Sequence, residues 1–444
     1  MQTGAISYKH ILNISIPIVL SGVAQNIVNV TDTAFLGRLG KIELGAAGNA
    51  GLFYFVFVML GMGMSTGSQI IIGRRNGEKN YAQVGAIFNH TLFLMIPLGI
   101  IMFLLLYYIS PVIFESFTNS DSISKASISY MSYRSPGILF ALFNFVFISY
   151  FVGTTRTNIL TFSTLLMALT NVFFDYVLIF GELGFPEMGV KGAALASVLA
   201  EIITLLFFII YSRWDSNKVK YNMFRYGRLN KELFGRIIKI SAPVMMQNTL
   251  ALGSWFIFFM ILEKLGESEL AVSHIIRSIY MVLIIPLMGL NVATNTLVSN
   301  LIGAGKSAYI GDLLKKIIVL CLAFTTVLLG LIWIAPEQVI LLYTNDVSLV
   351  PLSISTLKII SMTIYLFCVA SILFNGVIGT GNTKVTMAME FINILIYLTT
   401  TYYMTVILRL RLELVWCSEF IYFSVLGIMA FWYLKKGNWK KTVV

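Results

Sequence analysis

The sequence predicts an all-α, polytopic membrane protein built from twelve transmembrane helices in two parallel six-helix repeats. Composition is the first reason: 58% of the 444 residues are hydrophobic and only 11% are charged, against about a quarter charged in soluble domains. The second is length, because at about 20 residues per span the chain accommodates a dozen helices and no large soluble domain. The third is an internal repeat at a fixed shift of 226 positions. Together these exclude most enzymes of the cytosol.

Apolar runs place the spans at 9–36, 43–73, 87–109, 131–152, 158–180 and 189–211, then 234–263, 270–302, 313–335, 353–377, 385–408 and 414–434. The resulting division is an N-terminal bundle over 1–211, a basic linker over 212–233 and a C-terminal bundle over 234–444. The linker stretch has too few apolar residues to span and reads as a connection or surface helix. The N-terminus lacks a cationic leader with a small-residue cleavage site, so the first span is expected to direct insertion.

Net charge is +11, from 31 Lys and Arg against 20 Asp and Glu. The excess lies on the side of both termini and the linker, in Arg74, Arg75, the run from Arg213 to Lys239, and the run from Lys435 to Lys441. Since basic loops stay inside, both termini are expected to be cytoplasmic, with the anionic inner leaflet of the cell membrane as the partner of this charge and nucleic acid excluded. Cys321, Cys368 and Cys417 are scattered through apolar runs and read as small core residues.

The repeat aligns loop positions as well as apolar ones. Leu39-Gly40 and Glu43 meet Leu265-Gly266 and Glu269; Gly63 and Gly77 meet Gly289 and Gly303; Thr118-Asn119 meets Thr344-Asn345; Gly153 meets Gly379. Hydrophobicity alone cannot produce matches at turns. Six helices per half is an even number, so both halves enter on the same side and the repeat is parallel. Two equivalent bundles flanking a cleft suit alternating access, although fold alone does not fix function.

Soluble-protein motifs carry little here. Gly303-Ala304-Gly305-Lys306-Ser307 resembles the end of a phosphate loop, but Asn300 stands where the first glycine belongs and the repeat mate is the turn Gly77-Glu78-Lys79. Gly61, Gly63 and Gly67 fit close helix packing. His10, His90 and His274 are too dispersed to hold a metal, so no metal or organic cofactor is expected.

Ionisable residues inside spans are the better guide, each costing about 2.5–3.5 kcal/mol at a helix centre. They are Asp32, Asp175, Glu201, Arg277, Glu390 and Glu419. Asp32 and Asp175 fall at similar depth in the outer part of one half, and Asn171 precedes Asp175 by one helical turn. Such a pair can share a proton or hold a small cation, sodium being suited to hard oxygen ligands. Neither has a counterpart: Asp32 maps to Phe258 and Asp175 to Thr401. Gln25, Asn26, Glu201, His274, Arg277 and Glu390 are candidates for lining a substrate cleft, with pairing of Glu201, Arg277 and Glu390 with one another the alternative. Glu419, near the end of the last span, is expected at the interface.

Several segments together resemble a known family. Val30-Thr31-Asp32-Thr33-Ala34-Phe35-Leu36-Gly37-Arg38-Leu39-Gly40, Gly153-Thr154-Thr155-Arg156, Asn171 to Gly181 and Gly189 to Ser197 look like the multidrug and toxic compound extrusion family, over essentially the whole chain. The resemblance implies a V-shaped pair of bundles that exports cationic or amphipathic small molecules in exchange for protons or sodium ions. In the family's DinF-like branch the coupling site lies in the N-terminal bundle, which by matching implies Asp32, Asn171, Asp175 and the Ser197 hydroxyl. The acidic residues that the NorM-like branch carries in its seventh and tenth spans are missing from 234–261 and 353–377. A monomer is expected. The alternative within the same superfamily is a flippase for lipid-linked saccharides, which Arg277 keeps open.

Overall fold

The computed structural model describes residues 6–225, 229–437 and 439. Among these, twelve helices have 17 or more residues: α1 (Tyr8–Leu39), α2 (Lys41–Gly77), α3 (Tyr81–Phe117), α4 (Gly137–Gly153), α5 (Asn158–Phe180), α6 (Val190–Trp214), α7 (Lys231–Leu262), α8 (Glu267–Gly303), α9 (Ile310–Ile334), α10 (Val350–Gly379), α11 (Thr383–Tyr402) and α12 (Ser418–Lys436). Ten are long and apolar enough to cross a membrane with their short extensions. An eleventh crossing comes from α4 together with Asp121–Arg134, two helices bent by 50°. α11 carries Lys384 and Glu390, and at 20 residues it runs on into a π turn, Tyr403–Ile407. The all-helical, two-repeat architecture read from sequence is the architecture observed.

The repeat holds at the level of single residues. α2 and α8 begin and end 226 positions apart, as do the ends of α4 and α10. Each of α2 and α8 starts after a glycine over which a glutamate three residues on folds back. A Cβ on Gly40 would lie 2.6 Å from Glu43 Oε2, and one on Gly266, at φ 140°, would lie 2.6 Å from Glu269 Oε2. An acidic side chain over the first turn complements the helix dipole. The glycine-lysine turn is likewise structural, with the left-handed position held by Lys79 (φ 59°) in one half and Gly305 (φ 70°) in the other.

The chain packs as two compact units that divide inside helices. One is Leu20–Met245, and the other joins the described residues of Met1–Val19 to those of Met246–Val444. The dividing points are repeat mates, Val19 in α1 and Met245 in α7, and so are the glycines that receive them. A Cβ on Gly63 would lie 2.5 Å from Met245 Cα, and a Cβ on Gly289 would lie 2.4 Å from Val19 Cγ2. Each half therefore lends the start of its first helix to the other half's unit. Gly67 opens the same approach to Ser241, whose hydroxyl donates to Met64 O at 3.3 Å. The boundaries read from composition, at 211 and 234, mark the linker, whereas packing divides the chain at 19 and 245.

The linker folds onto the first of these units. After the short helix Asn217–Lys220, Tyr221 is buried and its hydroxyl donates to Asn76 Oδ1 at 3.0 Å. Gly85 permits this, since a Cβ there would lie 2.0 Å from Tyr221 O. His90 bonds Ala86 O through Nδ1 at 2.7 Å and accepts the Asn230 N–H through Nε2 at 2.9 Å, which fixes its tautomer. Arg156 pairs with Asp215, holding the turn after α4 to the end of α6. Burial opposes ionisation of Asp215, but hydrogen bonds from Arg156 and Asn217 overcome it and hold the carboxyl below its usual range.

Candidate functional site

α1, α5, α6 and the bent segment before α4 bring four ionisable side chains, Asp32, Asp175, Glu201 and Arg134, together in the Leu20–Met245 unit. Asp175 is fully buried on α5, and Asn171, one turn earlier, is 2% exposed. Asp32, half-buried on α1, lies within side-chain hydrogen-bonding range of Asp175. Yet Asp32 Oδ1, both carboxyl oxygens of Asp175 and Asn171 Oδ1 receive no hydrogen bond from any described residue. Two carboxylates can only accept, so their approach is satisfied when one carries a proton or a cation bridges them. At an effective dielectric of about 20, two like charges about 4 Å apart repel by about 4 kcal/mol.

Beyond the pair, Leu36 and Ile179, each one turn after an aspartate, pack with Ala193 in a small apolar cluster. Phe35 and Phe180 meet edge to face at its border, with centroids 5.7 Å apart. Ser197 is half-buried on α6 and donates to Ala193 O of its own helix at 3.2 Å.

On the other flank lies Arg134. Pro136 lacks an N–H and disfavours helix for the residue before it, so the helix breaks there and turns by 50°. The break delivers Arg134 to Glu201 of α6, with bidentate bonds of 2.6 and 3.0 Å. Gly137 leaves the room, since a Cβ would lie 2.1 Å from Arg134 Nη1 and 2.6 Å from Glu201 Oε2. The guanidinium also stacks 3.9 Å over the Tyr54 ring. Arg134 acts electrostatically on Asp32, and Tyr130 is influenced by Arg134, Asp32, Asp175 and Glu201 together. The ion pair offsets the cost of enclosing the Glu201 carboxylate. The sequence signal for Arg134 was its position inside the fourth span beside Ser135-Pro136.

The remaining candidates are placed as follows. Gln25 and Asn26 are exposed on α1, Gln25 bonding Asn29 Oδ1 at 3.5 Å and Asn26 bonding Gly22 O at 3.0 Å. His274 is exposed and stacks on Phe259, and half-buried Arg277 lies 5.1 Å from the centroid of the same ring. Glu390 is buried and accepts the Tyr422 O–H at 2.6 Å. Glu201 and Glu390 thus bond within their own units, to partners that the sequence reading did not name. Glu419, expected at the interface, is instead enclosed at 4% exposure and accepts the Tyr397 O–H at 2.6 Å. Buried Cys321 and Cys368 are free thiols of the core.

Comparison with known proteins agrees with this architecture. The chain is 26% identical over 443 residues to a probable multidrug resistance protein NorM of Thermotoga maritima, covering 98% of this chain and 94% of that one. It is 22% identical to the probable multidrug resistance protein YoeA of Bacillus subtilis over 74% of this chain and 72% of that one. A solved structure described as the outward-facing conformation of a multidrug resistance MATE family transporter superposes with a TM-score of 0.89 at 21% identity, over 98% of this chain and 97% of that one. The MatE family model matches residues 17–177 and again 243–403. Those two segments stand 226 positions apart and span well over half the chain, so this multi-span membrane protein belongs to the MatE family.

Proposed function

We propose that the protein is a secondary active exporter of cationic or amphipathic small molecules, driven by inward movement of protons or sodium ions. The names of its multidrug resistance relatives support the substrate class. The observation that carries the coupling is the carboxyl pair of Asp32 and Asp175, enclosed with Asn171 and given no donor by any described residue. An ion or proton arriving at the pair relieves its repulsion, and only such differential binding can shift a conformational equilibrium.

Asp32, Asn171, Asp175 and Ser197 form the coupling site in this reading. Arg134, locked to Glu201, sets the field at Asp32 without touching substrate. The basic linker and termini face the cytoplasm of the cell membrane, and the protein works as a monomer. Reconstituted vesicles loaded with a cationic dye test the proposal under an imposed proton gradient, a sodium gradient, or neither. Efflux accelerated by one gradient supports it. Dye movement indifferent to both would replace the exporter with an uncoupled pathway.

A further inference from the structure

The repeat points to a second acidic pocket. Shifting the coupling pocket by 226 positions carries Asp32 to Phe258, Asn171 to Tyr397, Asp175 to Thr401 and Ala193 to Glu419. In the second unit three of these residues, Phe258, Tyr397 and Glu419, again converge. Phe258 stacks on Tyr397 with centroids 5.5 Å apart, and the Tyr397 hydroxyl donates to Glu419 Oε1 at 2.6 Å. The contact between first and fifth helices of the half is kept, with an aromatic pair in place of the aspartates and a carboxyl added from the sixth.

A second carboxyl completes a crossed arrangement. Glu390 on α11 accepts from Tyr422 on α12 at 2.6 Å, while Glu419 on α12 accepts from Tyr397 on α11. Each helix therefore supplies one acid and one phenol, and the two phenol rings meet edge to face, 5.2 Å apart. Glu390 is 2% and Glu419 4% exposed, and neither joins an ion pair among the described residues. Asn393 lies between Glu390 and Tyr397 on the same face of α11, fully buried, with neither its amide nitrogen nor its oxygen bonded. The other titratable groups acting here are Tyr280 of α8, which is influenced by Glu419 and by Cys368 of α10. Phe258 and Trp416 add only apolar or neutral surface.

We propose that Glu390 and Glu419 form a second proton-binding site, housed entirely in the C-terminal unit and separate from the Asp32 and Asp175 pair. An enclosed carboxylate with one phenolic donor and no cation is balanced by a proton. Each carboxylate takes up a proton from water to become a carboxylic acid, still accepting from its tyrosine, and returns it when the unit is hydrated. A metal ion fits less well, because the phenol oxygens already spend their hydrogens on the acids and the surroundings are otherwise aromatic. The site does not depend on the exporter reading.

Infrared difference spectroscopy of the purified, lipid-reconstituted protein, taken from acid to alkaline pH, tests it. Carboxylic C=O bands that vanish on alkalisation are expected. Glu390→Gln and Glu419→Gln should each delete one, and the double variant Asp32→Asn with Asp175→Asn should leave both. Should a Gln variant fail to fold, Tyr422→Phe and Tyr397→Phe keep the acids but remove the donated bonds, and each should shift its own band. Bands absent at every pH, or present and unmoved by all four changes, would overturn the proposal. Bands displaced by added sodium at constant pH would overturn it in favour of a cation site.

Discussion

The two pockets related by the 226-residue repeat share a scaffold and differ in chemistry. In the first unit two aspartates approach with no donor between them, next to an arginine already committed to Glu201. In the second, each of two glutamates is answered by a tyrosine on the opposite helix. Each glutamate keeps one phenolic donor whether or not it holds a proton, whereas the aspartate pair has no donor among the described residues and changes its energy sharply with occupancy. The first arrangement can act as a switch and the second as a store. The repeat supplies one helical frame twice, with different side chains at the positions that carry the acids and their partners.

The largest effect should come from the aspartates. Asp32→Asn and Asp175→Asn are each expected to lower gradient-driven efflux by about tenfold or more, and the double variant should be little worse than either, because the pair acts as one unit. Multiplying losses at matched insertion would show two independent roles. The contrast with the other pocket sharpens if Glu419→Gln leaves a larger share of that efflux.

Next in size is Arg134→Ala. Removing one partner of a buried ion pair costs about 3–5 kcal/mol by leaving the other charge uncompensated. Thermal unfolding in detergent should fall accordingly, and Arg134→Met with Glu201→Met should recover much of the loss. Among the described residues, the pocket of the second unit holds no ion pair and so has no equivalent weak point.

Exchange of the first helices provides the third comparison. Overpacking costs about 1–3 kcal/mol, and at Gly63 a Cβ meets Met245 main-chain atoms at 2.5 and 2.7 Å, while at Gly289 the nearest atom belongs to the Val19 side chain. Gly63→Ala should therefore lower the melting temperature more than Gly289→Ala. Equal effects would mean that the two exchanged contacts relax alike.

The smallest effect concerns the Arg156 and Asp215 pair, absent from the second half, where Thr380-Gly381-Asn382 takes the place of Thr154-Thr155-Arg156. The Asp215 carboxyl is held below its unfolded value of about 3.9, so its stabilisation is present above that value and is lost as pH falls through the folded one. Asp215→Asn should lower the melting temperature slightly at neutral pH, and the difference should close in strong acid. A gap that persists there would assign the effect to packing.

Much of the fold was legible because lipid demands apolar runs of set length and because glycines at turns cannot drift without strain. Gly40 with Gly266 and Gly153 with Gly379 gave the register that the helices obey. The exchange of first helices was not legible, since Pro17 and Pro243 leave α1 and α7 continuous and the packing partners of Gly63 and Gly289 lie far away in sequence. The approach of Asp175 to Asp32 follows from two charges at matching depth. Arg134 was obscured by its place at a helix end, where the bend at Pro136 turns it inward. Tyr397 and Tyr422 were hidden among many aromatics, and only the carboxyl facing each distinguishes them.

The central claim is that Asp32 and Asp175 carry the coupling ion. Its most direct test is the ion flux itself: proton and sodium uptake measured alongside substrate export in vesicles containing either the unaltered protein or Asp175→Asn at equal density. The account predicts uptake of one of these ions in step with export for the unaltered protein, and loss of both fluxes in the variant. Export by Asp175→Asn at an undiminished rate, with the same ion uptake per substrate, would contradict it.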